Sequence, residues 1–87
     1  MEETVEIMIL GIDGSRTTAT EDRSRLLARL QKEVGGYIQL MAAPPEMGLV
    51  DCVLACNEDG LLRGLSSNPF VPCLVGTVVV MGADALE

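Results

Sequence analysis

Cys52 and Cys56, four positions apart, and Cys73 farther downstream have the widest chemical repertoire in this chain. Three thiolates could ligate zinc, but structural zinc takes four ligands and usually draws them from tight Cys-x₂-Cys knuckles. On a strand, positions 52 and 56 share a face yet stand about 13 Å apart, at roughly 3.3 Å per residue. One ion reaches both only if the strand bends sharply. The cysteines therefore read as small buried apolar residues, and no metal is expected. The chain has no histidine, so Ser-His, Cys-His and His-metal constellations drop out.

Carboxylates come next. Asn57-Glu58-Asp59-Gly60 sets two adjacent acids on an expected turn. With Asp51 or Asp84 beside them they could hold calcium or magnesium, but the EF-hand spacing is absent. An exposed tip also lacks the environment that separates two carboxyl pKa values for acid–base work. Gly11-Ile12-Asp13-Gly14-Ser15 has phosphate-loop glycines without the lysine or the helix start such a loop requires. A hairpin turn accounts for it. No catalytic residue is assigned and no cofactor is expected.

Four residues at the strand breaks remain as candidate ligand- or partner-binding positions: Tyr37, Asn57, Glu58 and Asn68. Asn68 either caps the turn at 66–70 by bonding backbone groups, or contacts a ligand. Tyr37 is either a half-buried core residue with its hydroxyl at the surface, or a partner anchor. Met41, Met47 and Met81 fill core by default and otherwise form an adaptable apolar patch.

The elements that must position these residues follow from periodicity. Residues 5–12 alternate as a strand, with Val5, Ile7 and Ile9 on one face and Glu6, Met8 and Leu10 on the other. Asp13-Gly14 suits a type I′ turn, and 15–19 returns as a short polar edge strand. A helix is expected over 21–34, capped by Thr20 or Asp22, with Leu26, Leu27, Leu30 and Val34 as its apolar stripe. Gly35 stops it in a left-handed conformation. Strands follow at 37–41 and 49–56, the second placing Cys52, Leu54 and Cys56 on one face. Gly60 is the expected left-handed residue of a hairpin in which 61–63 pairs back. Pro69 and Pro72 make 66–72 a loop. Residues 73–81, with Val78-Val79-Val80, form a central strand buried on both faces. The predicted fold is α+β: one helix on a mostly antiparallel sheet, ordered β-β-α-β-β-(β)-β, in a single domain with its core at 5–82.

Composition narrows the function classes. The chain has 87 residues, 48% apolar but only 2% aromatic, so aliphatic side chains must fill the core. A core this small favours modest stability or self-association, giving a homo-oligomer. The net charge of −7 argues against nucleic acid, whose phosphates need Lys and Arg. Arg23, Arg25, Arg29 and Lys32 lie among acids on the expected helix, as an ordinary solvated face. DNA mimicry fits poorly, since the carboxylates are scattered and the chain is apolar. The apolar run 70–83 is too short to cross a bilayer and contains Pro72, so no membrane association is expected. The acidic opening Met1-Glu2-Glu3-Thr4 is unlike a secretory leader, and three cysteines leave one unpaired. The expected location is cytoplasmic.

Several ordered segments carry a resemblance. Residues 30–39 (Leu-Gln-Lys-Glu-Val-Gly-Gly-Tyr-Ile-Gln), Cys56-Asn57-Glu58-Asp59-Gly60, Gly64-Leu65 with Asn68, and Val75-Gly76-Thr77 closely resemble domain-of-unknown-function family 3846. The resemblance spans 5–82. It implies a small protein carried by bacteria, phages or mobile elements, and no activity. The chain departs from the pattern at Leu61-Leu62, where members often carry lysine, and in the short segment 69–72. The expected role is an accessory module of phage or mobile-element type that binds an unknown protein partner and self-associates. The alternatives are a binder of a small nucleotide signal that counters host defence, and an enzyme relying on carboxylates or cysteine alone.

Overall fold

The expected alternation of the first strand appears in the computed structural model, which describes residues 3–86. In β1 (Thr4–Leu10), Val5 and Ile7 enter one core while Leu10 enters another on the opposite side of the sheet. The first core lies beneath the helix and joins Val5 and Ile7 to Leu26, Leu30, Val34, Ala55, Val79 and Met81. The second lies under the loops and joins Leu10 to Leu54, Cys56, Val71, Val78 and Val80. Both are aliphatic, as the near absence of aromatics demands. Burying one such side chain fully contributes roughly 1.5–3 kcal/mol.

The sheet has five antiparallel strands in the order β2-β1-β5-β4-β3. β5 (Val78–Gly82) is central, and its four leading residues are buried, alternating between the two cores. β2 (Arg16–Asp22) is the polar edge. The fold is α+β, ordered β-β-α-β-β-β.

The structure corrects several local expectations. The first hairpin does not use a type I′ turn: Gly14 is left-handed at φ +86°, whereas Asp13 has no positive φ. Gly14 N–H donates to Gly11 O (3.1 Å) and Gly11 N–H to Ser15 O (2.9 Å), the three-residue loop that ends in a glycine bulge. Asp13 Oδ1 accepts the Ser15 N–H at 3.0 Å. The Ser15 side chain foremost, and then that backbone bond, hold the exposed Asp13 carboxyl below its ordinary pKa.

The helix starts later than its sequence suggests. Glu21 and Asp22 pair with Val5 and Thr4 on β1, so the ladder takes the residues expected to begin the helix. A 3₁₀ turn at Arg23–Arg25 follows, then α1 (Leu26–Val34), with no side-chain cap from Asp22 or Arg25. Leu26, Leu30 and Val34 are buried, but Leu27 is half exposed. At 100° per residue it lies about 60° from the centre line of the other three. Gly35 ends the helix at φ +79°, and the Gly35 and Gly36 amides both donate to Gln31 O. Arg29 pairs with Glu33 at 2.8 Å and more distantly with Glu21, a solvated pairing worth well under about 1 kcal/mol.

β3 (Ile38–Ala42) and β4 (Cys52–Asn57) form the other half of the sheet. Residues 61–63 do not pair back as a strand; they belong to a run of turns over 58–64. Gly60 is not its left-handed residue; Gly64 is, at φ +69°. Gly60 is required for a different reason: a Cβ there would stand 2.7 Å from Val75 Cγ2 and 3.3 Å from Asn57 O. The last strand begins at Val78 because 74–76 bond to the loop at 66–68 instead, through Asn68 N–H to Leu74 O, Gly76 N–H to Ser66 O and the bridge between Ser67 and Val75.

Candidate functional site

One end of the sheet gathers the chain breaks after α1, β4 and the long loop, and two buried asparagines fasten it. Asn57 ends β4 and is 5% exposed. Its Nδ2 donates to Val34 O at the end of α1 (3.0 Å), and its Oδ1 accepts the Asp59 N–H at 2.8 Å. One side chain thus ties helix, strand and turn together. Arg63 adds a bond from Nη1 to Gly35 O at 2.7 Å. Asn57→Ala should therefore lower stability by about 2 kcal/mol, from two hydrogen bonds at roughly 1 kcal/mol each. Urea unfolding followed by circular dichroism checks this.

Asn68 is fully buried in the loop between β4 and β5. Its Nδ2 donates to Leu10 O and Gly76 O, and its Oδ1 accepts the N–H groups of Phe70 and Val71. It thereby closes the turn that sets Val71 into the loop-side core. The capping role follows from these bonds, although the partners extend well beyond the turn at 66–70.

Tyr37 and Glu58 face solvent instead. Tyr37 is 72% exposed, so it is not a half-buried core residue, and its carbonyl accepts the Glu58 N–H at 2.9 Å. Glu58 and Asp59 point outward at the end of β4 opposite to Asp51 and Asp84, because Cys52, next to Asp51, pairs with Gly82. The four acids do not converge. No group of three or more potential metal ligands occurs among the described residues.

Beside Glu58 lies a cavity of about 320 Å³, bounded by Gln39, Cys56, Leu61, Leu62, Cys73 and Leu74. No lysine or arginine lines it. Leu61 and Leu62 are 84% and 90% exposed at its rim. Their signal in the sequence is an apolar pair inside a glycine-flanked turn. A shallower groove of about 410 Å³ crosses the far part of the loop-side face over Met8, Thr18, Leu49 and Cys52. Met81 belongs to the helix-side core, while Met41 and Met47 pack half-buried against the other. The cysteines divide three ways: Cys56 is buried, Cys52 half-buried, and Cys73 exposed, contrary to its expected burial. Cys73 sits in the turn that Asn68 closes, beyond the strand that would have turned it inward. Burial foremost, and then the neighbouring Cys73, push the Cys56 thiol above its ordinary pKa.

The edge of the sheet beside this cavity is β3. Ala43 N–H donates to Cys52 O, and Tyr37 O accepts from Glu58 N–H, both on the β4 side. Backbone polar groups alternate in direction along an antiparallel strand. Gln39 and Met41 therefore also face β4, and Ile38, Leu40 and Ala42 turn their N–H and C=O groups away from the sheet. This open edge was not legible among the candidate side chains.

No helix among the described residues is long and apolar enough to cross a membrane. A family model described as Domain of unknown function (DUF3846) matches residues 6–87. No curated protein and no solved structure matches the chain.

Proposed function

The chain belongs to the DUF3846 family, whose function is unknown, and on that premise we propose a non-enzymatic protein-binding module that works by strand addition to β3. The supporting observation is the contrast between the two edges of the sheet. β2 carries Arg16, Glu21 and Asp22, charges that discourage edge pairing. β3 reads Ile-Gln-Leu-Met-Ala, with no charge, no proline and three outward-directed backbone units. An uncharged open edge is a template for another strand. Tyr37, Leu40, Leu61 and Leu62 add exposed apolar surface around it, of the type that anchors partners.

The strand supplied comes from a protein partner or, in self-association, from a second copy. In the phage or mobile-element setting that the family resemblance implies, such a module serves as an accessory protein. A nucleotide-signal binder is less well supported, because anionic phosphates call for cationic or clustered N–H donors, and the cavity beside β3 has no basic side chain. An enzyme is less well supported too, since Glu58 and Asp59 are solvated side by side.

Size-exclusion chromatography with light scattering, joined to affinity capture from a bacterial lysate, tests the proposal. The expected result is a dimer, a stoichiometric captured partner, or both. A strict monomer across a wide concentration range that retains nothing would count decisively against it.

A further inference from the structure

We propose that Cys73 and Cys56 form an oxidisable dithiol, with Cys73 as the attacking thiol and Cys56 as the resolving one. The two cysteines line the same cavity from different sides, Cys56 from β4 and Cys73 from the loop that leads to β5. Cys73 is exposed and Cys56 is buried, so an incoming reagent meets Cys73 first. The third thiol is excluded by position: Cys52 lies at the far end of β4, lines the other groove, and points its sulfur toward Val50 O at 3.5 Å. Cys56 packs in the loop-side core and lines the cavity, and its sulfur is engaged by a weak contact to Gln39 O at 3.8 Å. The backbone around Cys73 is held by Leu74 N–H to Val71 O and by Ser67 Oγ to Pro72 O. Both bonds lie within the loop, and its residues Cys73, Leu74 and Val75 line the cavity together with Cys56 and Asn57 of β4.

The chemistry needs a low-molecular-weight disulfide as oxidant. The Cys73 thiolate attacks one sulfur of the reagent, its S–S bond breaks, and one small thiolate leaves and is protonated. A mixed disulfide on Cys73 results. Cys56 then gives its proton to solvent, and its thiolate attacks the Cys73 sulfur, expelling the second small thiol. Two protein thiols are oxidised and one reagent disulfide is reduced to two thiols. Because burial disfavours the Cys56 thiolate, the second step accelerates as pH rises. The bond formed would tie the 66–77 loop to β4 and close the cavity between them. This inference rests on the thiols and does not depend on the partner-binding proposal.

The experiment treats the folded protein with oxidised glutathione and maps its peptides by mass spectrometry without reduction. The expected product is a Cys56–Cys73 linkage, preceded by a glutathione adduct on Cys73, with Cys52 unlinked. Cys73→Ser, a change at an exposed position, should leave Cys56 unmodified over the same period. A stable Cys73 adduct that never resolves, a linkage involving Cys52, or modification of Cys56 in Cys73→Ser would each overturn the proposal.

Discussion

Asn68→Ala is expected to remove about 4 kcal/mol of folding stability, the largest effect of any polar substitution in this protein. Asn68 is fully buried and uses all four of its hydrogen-bonding valences on backbone groups of Leu10, Gly76, Phe70 and Val71. Each bond contributes roughly 1 kcal/mol net, and the abandoned partners add their own desolvation penalties. A domain of this size holds only about 4–13 kcal/mol in total. The variant should therefore unfold at much lower urea, with Val71 leaving the loop-side core. A loss below about 1 kcal/mol by linear extrapolation would mean that water replaces the side chain, and the fastening role would fail.

Asn68→Asp separates the bonds from the shape. The carboxylate keeps the acceptor for Phe70 and Val71 but turns a second oxygen toward the carbonyls of Leu10 and Gly76. Burial and that repulsion favour the protonated acid, so the folded pKa rises above the unfolded value of about 3.9. A group raised on folding stabilises most below its unfolded pKa, and that contribution is lost as pH rises through the folded one. The deficit of Asn68→Asp against the unaltered protein should accordingly be smaller near pH 4 than at pH 7. Denaturation curves at the two pH values read this directly.

How much of this was legible beforehand depends on the distance over which each residue makes its bonds. The period-2 pattern of β1 and the valine run of β5 report burial at the same residues that carry it, so both strands, their faces and the central place of β5 were readable. Gly35 was readable because a helix end is a local event. The helix start was not: Glu21 and Asp22 suit a helix N-terminus by local chemistry, yet their pairing with Val5 and Thr4 across the hairpin prevails. Gly60 failed similarly. Its need for a missing Cβ comes from Val75, fifteen positions later, and not from its own turn. The four candidate site residues divided along the same line. Asn57 and Asn68 reach backbone groups 23 and 58 positions away, which no turn rule anticipates, while Tyr37 and Glu58 stayed at the surface. The open β3 edge was hidden because edge position is a property of strand order, and strand order is not written in any segment.

That edge provides the second large effect. Leu40→Lys is expected to weaken dimer formation or partner capture at least about tenfold, while leaving the thermal midpoint within a few degrees. Leu40 is 46% exposed at the middle of β3, and its N–H and C=O point away from β4. A lysine there puts a charge where an added strand would have to pack, the device natural edges use against pairing. Leu40→Pro makes the sharper test, because it deletes an outward N–H without touching the β3–β4 ladder. Proline is tolerated at such edge positions, so circular dichroism should show the fold retained. Tyr37→Ala and Leu62→Ala should weaken association less, since each removes apolar contact and leaves the backbone template intact. If the Leu40 variants associate normally while Leu61→Glu with Leu62→Glu does not, binding runs through the turn at 58–64, and strand addition is the wrong mode. If all of them associate normally, the loop-side groove over Met8 and Thr18 becomes the surface to alter. The order of effects, Leu40→Pro above Leu40→Lys above Tyr37→Ala, is what strand addition demands, because only the first removes a hydrogen bond that an added strand must make.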